Sequence, residues 1–175
     1  MFQGEFLNNM RNGKGKEYNK KGKLIFDGEY LYGFRLKGKS YANEKLEYEG
    51  EYLYDKKWNG KGYDETGNII YELIDGNGKV KEYRDNGILY FEGEYLNGKK
   101  NGKGKEYDYY NGKLIFEGEY LNGKKHGKGK EYERNGELIF EGEYLNGKKH
   151  GKGKEYETNG ELIFEGEYLN GNKKE

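Results

Sequence analysis

A sequence motif of 17 residues is repeated along this chain. Positions 140–156 read almost the same as positions 116–132 and positions 91–107. A period of this length is typical of stacked supersecondary units that bury a core only together with their neighbours. The repeat therefore predicts one continuous array over residues 1–175, rather than a domain folded around a single central core.

Each unit opens on an aromatic residue, at positions 2, 26, 48, 71, 91, 116, 140 and 164. The units from position 91 onward are nearly identical, whereas those between positions 26 and 90 have drifted. The drifted units still carry turn residues and aromatic residues in register. The sequence therefore gives no reason to place a linker between domains.

Composition favours a thin folded structure. Hydrophobic residues make up 32% of the chain, whereas roughly 45–50% of a typical globular protein is apolar when glycine is included. A charged fraction of 37% would suit a disordered chain. The zero net charge, the 17% of aromatic residues and the regular turns favour a folded chain instead. Zero net charge also argues against a nucleic-acid binder.

The sequence contains no cysteine, which excludes disulfides and thiol chemistry. No run approaches the roughly 18 apolar residues of a membrane span, and no apolar signal segment is visible at the start. We expect a soluble, intracellular protein of the cytoplasm, with peripheral attachment to a membrane as an open alternative.

Two turn signals divide each unit into strands. Apolar and polar residues alternate over positions 138–145, which is typical of a strand. Asn135-Gly136 and Asn159-Gly160 match two-residue type I′ hairpin turns, and a longer turn is predicted at residues 146–151. The predicted fold class is all-β, an elongated single-layer antiparallel meander of tandem hairpins, shaped as a twisted ribbon or solenoid.

The two turns predict a consistent register. Lys154 is expected opposite Glu165 on one side and opposite Glu143 on the other. One face of the sheet then carries the aromatic residues and the strand glycines, and the other carries a ladder of lysines and glutamates. Because a strand glycine leaves a groove, Gly153 is predicted to seat the ring of Tyr144.

The string at positions 140–153 resembles the MORN repeat (membrane occupation and recognition nexus), whose pattern is aromatic-x-Gly-x-aromatic, Asn-Gly and Gly-x-Gly. It is most similar to a lysine-rich variant that ends Lys-Glu-Tyr-x-x-Asn-Gly, which also occurs in bacterial proteins described as antitoxin-like. The resemblance is specific over residues 91–171 and weaker over 26–90, and the second aromatic residue is Tyr where the family often has Trp. It implies hairpin repeats that serve protein interaction, scaffolding or self-association, and membrane or phosphoinositide binding is often proposed for the family.

The aromatic–glycine face is the preferred binding surface. A single-layer sheet leaves such a face uncovered, so its rings are expected to form an exposed row that binds another protein or a second copy in a homodimer. The alternative is that the rings pack on one another and on the glycines. The predicted binding residues are Phe91, Tyr95, Phe116, Tyr120, Phe140, Tyr144, Phe164 and Tyr168.

Lysine pairs recur in the predicted long turns and would form a basic edge of the sheet. This edge could dock phosphates or an anionic membrane surface, or it could be a solvated edge that resists aggregation. The opposite edge is expected to carry Glu133, Glu137, Glu157 and Glu161. The basic-edge residues are Lys99, Lys100, Lys124, Lys125, Lys148 and Lys149.

No catalytic set is visible, and no enzyme activity, cofactor or metal is expected. His126 and His150 are interpreted as solvated turn residues, roughly 9.5 Å apart by strand spacing. Residues 33–40 fit the phosphate-loop pattern by coincidence, because no helix is predicted after them. The leading hypothesis is a non-enzymatic scaffold. The alternatives are a membrane-surface binder, an antitoxin-like neutralising protein and a carbohydrate binder.

Overall fold

The computed structural model describes residues 1–174, and these residues form strands and turns without any helix. Consecutive strands pair antiparallel in chain order, in one sheet of seven strands and one of nine. The prediction of an all-β antiparallel meander of hairpins is therefore confirmed. The arrangement follows from the short turns, since antiparallel neighbours can be joined by two residues whereas parallel strands need long crossovers.

The first sheet comprises β1 (Phe2–Leu7), β2 (Met10–Tyr18), β3 (Leu24–Leu31), β4 (Phe34–Ala42), β5 (Lys45–Leu53), β6 (Lys56–Tyr63) and β7 (Ile69–Leu73). The second comprises β8 (Gly78–Tyr83), β9 (Leu89–Leu96), β10 (Lys99–Tyr107), β11 (Leu114–Leu121), β12 (Lys124–Tyr132), β13 (Leu138–Leu145), β14 (Lys148–Tyr156), β15 (Leu162–Leu169) and β16 (Asn172–Lys173).

The chain divides into two compact units. The N-terminal unit contains residues 1–89 with 95–98, and the C-terminal unit contains residues 90–94 and the chain from position 99. The drifted repeats lie in the N-terminal unit, and the nearly identical repeats make up the C-terminal unit. A single continuous array remains a prediction.

The two turn types are the reverse of those predicted. The tight hairpin turns lie at Asn122-Gly123 and Asn146-Gly147, where both residues have positive φ (51° and 85°, 53° and 89°). These are the angles that a type I′ turn requires, and Asn followed by Gly accepts them at low cost. The predicted six-residue turn over residues 146–151 is therefore wrong, because β14 already begins at Lys148.

The predicted type I′ turn at Asn135-Gly136 is also wrong. Residues 133–137 form a five-residue connection in which only Gly136 has positive φ, at 100°. The Gly136 N–H donates to the Glu133 carbonyl, and the Glu137 N–H donates to the Asn135 side chain. Because the Glu133 N–H also donates to the Glu137 carbonyl, the loop itself is residues 134–136. A turn followed by one left-handed glycine is the usual form of such a three-residue hairpin loop. The connection at Asn159-Gly160 repeats it.

The position of the tight turn shifts one of the predicted registers. Lys154 lies opposite Glu165, as predicted, but on its other side it faces Glu141 rather than Glu143. The shift arises at a β-bulge between Gly142 and Tyr144, which accompanies the tight turn. Lysines and glutamates still share the face opposite the aromatic rings.

Pairs of glycines bring adjacent strands together beneath each ring. Gly142 lies opposite Gly153, and a Cβ added at Gly142 would lie 2.7 Å from the Gly153 Cα. The ring that fills this space belongs to Phe140, and the edge of Tyr168 approaches Gly153 from the next repeat. The prediction that Gly153 seats Tyr144 is wrong, because Tyr144 lies over the glycine of the preceding repeat, Gly129.

Two glycine substitutions distinguish a glycine required by a tight turn from a glycine that lies under an aromatic ring. Gly147→Ala adds a methyl group with nothing within 4 Å, so only its φ of 89° opposes the change, and we expect a loss of about 1 kcal/mol. Gly142→Ala places a methyl group against backbone and the Phe140 ring, and overpacking of this kind costs about 2–3 kcal/mol. Urea unfolding of both variants provides the comparison, and equal losses would contradict the role assigned to the glycine pair.

Candidate interaction surfaces

The aromatic residues of successive repeats form a continuous row in each unit. In the C-terminal unit Phe140 meets Tyr144 of its own repeat at 5.5 Å and Tyr168 of the next repeat at 5.4 Å. The rings of both pairs are nearly perpendicular, with interplanar angles of 83° and 90°. Phe116 makes the same two contacts, with Tyr120 and Tyr144. Edge-to-face pairs of this kind contribute about 0.5–1.5 kcal/mol beyond area burial.

The row is not the exposed surface that the sequence predicted. Phe91, Phe116 and Phe140 are completely buried, Tyr120 and Tyr144 are 4% exposed, and Tyr168 is 3% exposed. Tyr95 and Phe164 are half-buried. The rings lie on the paired strand glycines, which we call the glycine seats, and pack on one another, so they form the core of the repeat array.

A cation from each repeat covers these rings. Lys149 places its Nζ 4.0 Å from the ring centroid of Phe140, and Lys125 is equally close to Phe116. Each lysine also pairs with a glutamate six residues later, Lys125 with Glu131 at 2.9 Å and Lys149 with Glu155 at 3.2 Å. The surface above the rings is therefore a row of half-buried lysine–glutamate pairs.

The same geometry divides the predicted basic edge into two groups. Lys100, Lys125 and Lys149 turn inward over the rings and are neutralised by their glutamates. In contrast, the preceding lysines stay exposed beside the tight turns, and they make no ion pair within the described chain. The basic edge therefore consists of Lys99, Lys124 and Lys148 alone.

The opposite end of the strands is acidic, as the sequence predicted. Glu133, Glu137, Glu157 and Glu161 lie in the five-residue connections and are exposed. The lysines begin strands and these glutamates follow them, so the two sets of charges lie at opposite strand ends.

The tyrosine hydroxyls of the row lie beside the half-buried glutamates. The hydroxyl groups of Tyr120 and Tyr144 are buried close to the carboxylates of Glu106 and Glu131 respectively. Burial raises the pKa of both residues, and the nearby charges of Glu106 and Glu131 raise it further. Both hydroxyls are therefore neutral throughout the physiological range.

The face opposite the rings carries the charge ladder. Tyr132 donates to Glu117 at 2.7 Å, and Tyr156 donates to Glu141 at 2.8 Å. Burial and the Glu117 carboxylate raise the pKa of Tyr132 to about 12.

The histidines are not solvated turn residues as predicted, since His126 and His150 lie half-buried in β12 and β14.

The N-terminal unit contains a buried polar cluster that the sequence did not reveal. Lys57, whose side chain is 13% exposed, pairs with Glu47 at 2.5 Å and with Glu82 at 3.5 Å. Ser40 donates to Glu47 at 2.9 Å, and Lys57 lies 3.2 Å from the Tyr71 hydroxyl. Burial lowers the pKa of Lys57, but the two carboxylates and Tyr71 outweigh this effect and hold it well above its usual value.

A signal for this cluster was present in the repeat pattern. Lys57 follows its aromatic Tyr48 by the same nine positions that separate Lys149 from Phe140. The residue opposite Tyr48 is Gly62, whereas Glu155 lies opposite Phe140, so the cation is left without its usual partner. Glu47 stands where other repeats have Ile, as at Ile139, and supplies the missing carboxylate.

The phosphate-loop string has no phosphate-loop structure. Lys39 and Ser40 lie within β4, which is paired on both sides, and Lys39 faces Glu49 at 3.4 Å. Over residues 1–174 no group of three or more His, Cys, Asp or Glu side chains is arranged to hold a metal ion. The same part of the chain has no helix long and apolar enough to cross a membrane.

Comparison with protein families agrees with this geometry. The MORN repeat model matches residues 2–23, 91–113, 116–137 and 140–161, and a MORN repeat variant matches residues 76–97. The chain belongs to the MORN-repeat family. A search of curated proteins gives no significant match. MORN repeats are generally non-catalytic and are associated with protein or membrane interaction.

The family matches leave out residues 24–75. This stretch contains most of the buried Lys57 cluster, and it still forms hairpins that pair in the same order as the matched repeats. The MORN architecture therefore continues through repeats whose side chains have departed from the family pattern.

Two neighbouring lysines test the two roles found at the basic edge. Lys149→Ala removes a cation from the Phe140 ring together with a half-buried ion pair, and we expect a loss of about 1–2 kcal/mol. Lys148→Ala removes an exposed charge and should stay within about 0.5 kcal/mol of the wild type. Thermal and urea unfolding measure both variants, and a larger loss for Lys148→Ala would refute the assignment.

Proposed function

We propose that this MORN-repeat protein is a non-enzymatic scaffold that binds another protein, or a second copy of itself, across the face built on its aromatic rings. The observation that supports this proposal most directly is the repetition of one surface on successive hairpins. Lys125 with Glu131 and Lys149 with Glu155 present the same pair of charges, each about one-quarter exposed, above the same buried rings.

The buried rings form a rigid support beneath the lysine–glutamate pairs. Because Phe116 and Phe140 are fully buried, a partner meets the lysine–glutamate pairs and not the ring faces. Side chains held by packing lose little entropy on binding, so a preformed row of charges favours a partner with a complementary row. The aromatic residues predicted as the binding set therefore contribute by fixing the positions of the charges above them.

Matched glutamine substitutions test which face binds. The first variant, Glu131→Gln with Glu155→Gln, removes two carboxylates above the rings, and the second, Glu117→Gln with Glu141→Gln, removes two from the opposite face. Both immobilised variants and the wild type are used to capture proteins from a lysate of the source cells. We expect a partner retained by the wild type and the second variant to be reduced at least tenfold on the first.

Circular dichroism and melting temperature establish that both variants are folded. Retention by the first variant with loss by the second would place the binding surface on the charge-ladder face. If the wild type captures no specific protein and does not self-associate, the scaffold proposal is wrong.

A second candidate is binding to an anionic membrane surface through the basic edge. The supporting observation is that Lys99, Lys124 and Lys148 are exposed, begin successive hairpin arms and have no carboxylate partner in the described chain. Each lysine near an anionic surface contributes roughly 1 kcal/mol.

Flotation with phosphatidylserine-containing vesicles at low salt tests this candidate. Changing Lys99, Lys124 and Lys148 to Ser should weaken vesicle binding by about two orders of magnitude. The matched control changes Lys103, Lys128 and Lys152, which lie on the same strands within the charge ladder. An equal effect of the two triple variants would indicate that only net charge matters, and absence of wild-type binding removes this candidate.

A further inference from the structure

The tight turns of the N-terminal unit differ in chemistry from those of the C-terminal unit. In the repeats that begin at positions 91, 116 and 140, the tight turn and its flanking residues (the tip) read Leu-Asn-Gly-Lys, as at Leu121 to Lys124, and the last tip reads Leu-Asn-Gly-Asn. The second repeat has Leu31-Tyr32-Gly33-Phe34 in the same place, and the third has Leu53-Tyr54-Asp55-Lys56. Asparagine has thus been replaced by tyrosine at two tips, and lysine by phenylalanine at one.

These apolar side chains are exposed and lie next to one another. Tyr32 is 66% exposed, Tyr54 is 69% exposed and Phe34 is 43% exposed. The rings of Phe34 and Tyr54 meet edge to face at 5.4 Å, which joins the second tip to the third. The Gly33 N–H donates to the Arg11 carbonyl at 2.9 Å, which joins the second tip to the first. We call this the apolar tip surface; it consists of Met10, Leu31, Tyr32, Phe34, Leu53 and Tyr54.

The tyrosines occupy conformations that disfavour them. Tyr32 has φ of 50° and Tyr54 has φ of 49°, in the left-handed region where asparagine and glycine are favoured. The same chain uses asparagine or aspartate at this position in its other described tight turns, for example Asn122, Asn146 and Asp75. A strained backbone at an exposed residue, where a relaxed choice exists in the same fold, points to a functional constraint on the side chain.

We propose that the apolar tip surface is an interface between two copies of this chain, related by a two-fold axis. The proposal rests on the scaffold function proposed above and adds a specific surface for self-association. It differs from the face of lysine–glutamate pairs, so one copy could occupy its tips while that face binds another protein.

The exposed area is sufficient for such an interface. At the usual size of aromatic and aliphatic side chains, the six residues expose roughly 600 Å². Pairing two such surfaces would bury roughly 1,200 Å² in total, which lies at the lower end of the range for specific protein–protein interfaces. Polar residues at the rim would add to this area.

Charge explains why a second copy fits this surface. A two-fold interface brings the same patch of both copies together, so the patch must be complementary to itself. The tips of the C-terminal unit carry Lys124 and Lys148, which would repel their own counterparts. In the apolar tips, the exposed Lys56 is adjacent to the exposed Asp55, which has the opposite charge. Arg11 and Arg35, on the neighbouring strands, pair with Glu17 and cover the rings of Phe2 and Phe26. The patch therefore carries no net charge that opposes self-pairing.

Sedimentation velocity over a concentration series tests the proposal. The test variant, Tyr32→Asn with Phe34→Lys and Tyr54→Asn, restores the tip residues that this chain uses elsewhere. The control changes three exposed tip leucines of the C-terminal unit to threonine, Leu121, Leu145 and Leu169. We expect wild type and control to dimerise with the same dissociation constant and the test variant to dimerise at least tenfold more weakly.

Thermal unfolding at low protein concentration distinguishes weaker dimerisation from loss of folding. Because the asparagines relieve strain, the melting temperature of the monomeric test variant should rise by roughly 2–4 °C or more. A wild type that stays monomeric at about 100 µM (a dissociation constant in the millimolar range), or a test variant that dimerises as well as the control, would overturn the proposal. If a monomeric wild type still captures a protein from lysate, the scaffold function stands and only the self-association fails. Binding of monomers to neutral phosphatidylcholine vesicles, lost in the test variant, would assign the surface to lipid instead.

Discussion

The close approach of paired glycines across adjacent strands determines the rest of this structure. Where Gly142 faces Gly153, neither residue has a side chain, and the Phe140 ring lies directly on the backbone. A single-layer sheet has no second layer to bury its apolar residues, so it must make its core within its own thickness. The space above the paired glycines provides this depth. The phenylalanine of one repeat fills it together with the tyrosine of the next, as Phe140 and Tyr168 do at Gly153.

The lysine over each ring follows from the same constraint. A ring set into a single sheet still has one face toward solvent, and the aliphatic stem and ammonium group of Lys149 cover that face. The ammonium group then needs a counter-charge near a low-dielectric surface, which Glu155 supplies. Phe140, Lys149 and Glu155 are therefore one structural unit, and its repetition produces the row of charges that we propose as the binding surface.

The sequence predicted the fold class well because period, alternation and turn residues all report on the backbone. The prediction failed where the same two residues occur in two different turn conformations. Asn135-Gly136 and Asn146-Gly147 are identical dipeptides, yet only the second has both residues at positive φ. The length of the connection decides between them, since five residues join β12 to β13 and two join β13 to β14. The sequence leaves the burial of Phe140 open as the alternative to an exposed row, because the lysine that covers the ring falls in a stretch predicted as an exposed turn.

The drifted repeats show how this repeat unit tolerates change. In the third repeat the usual glutamate is absent, and Lys57 of β6 pairs with Glu47 of the adjacent strand β5 and with Glu82 of β8. A buried cation left without a carboxylate would cost several kcal/mol, so the loss of one partner requires the gain of another. No comparable requirement acts on the exposed tips, where Asn and Lys satisfy the turn at the lowest cost. The positive φ of Tyr32 and Tyr54 thus has no explanation in the packing of each residue's own repeat, and the proposed contact with a second copy supplies one.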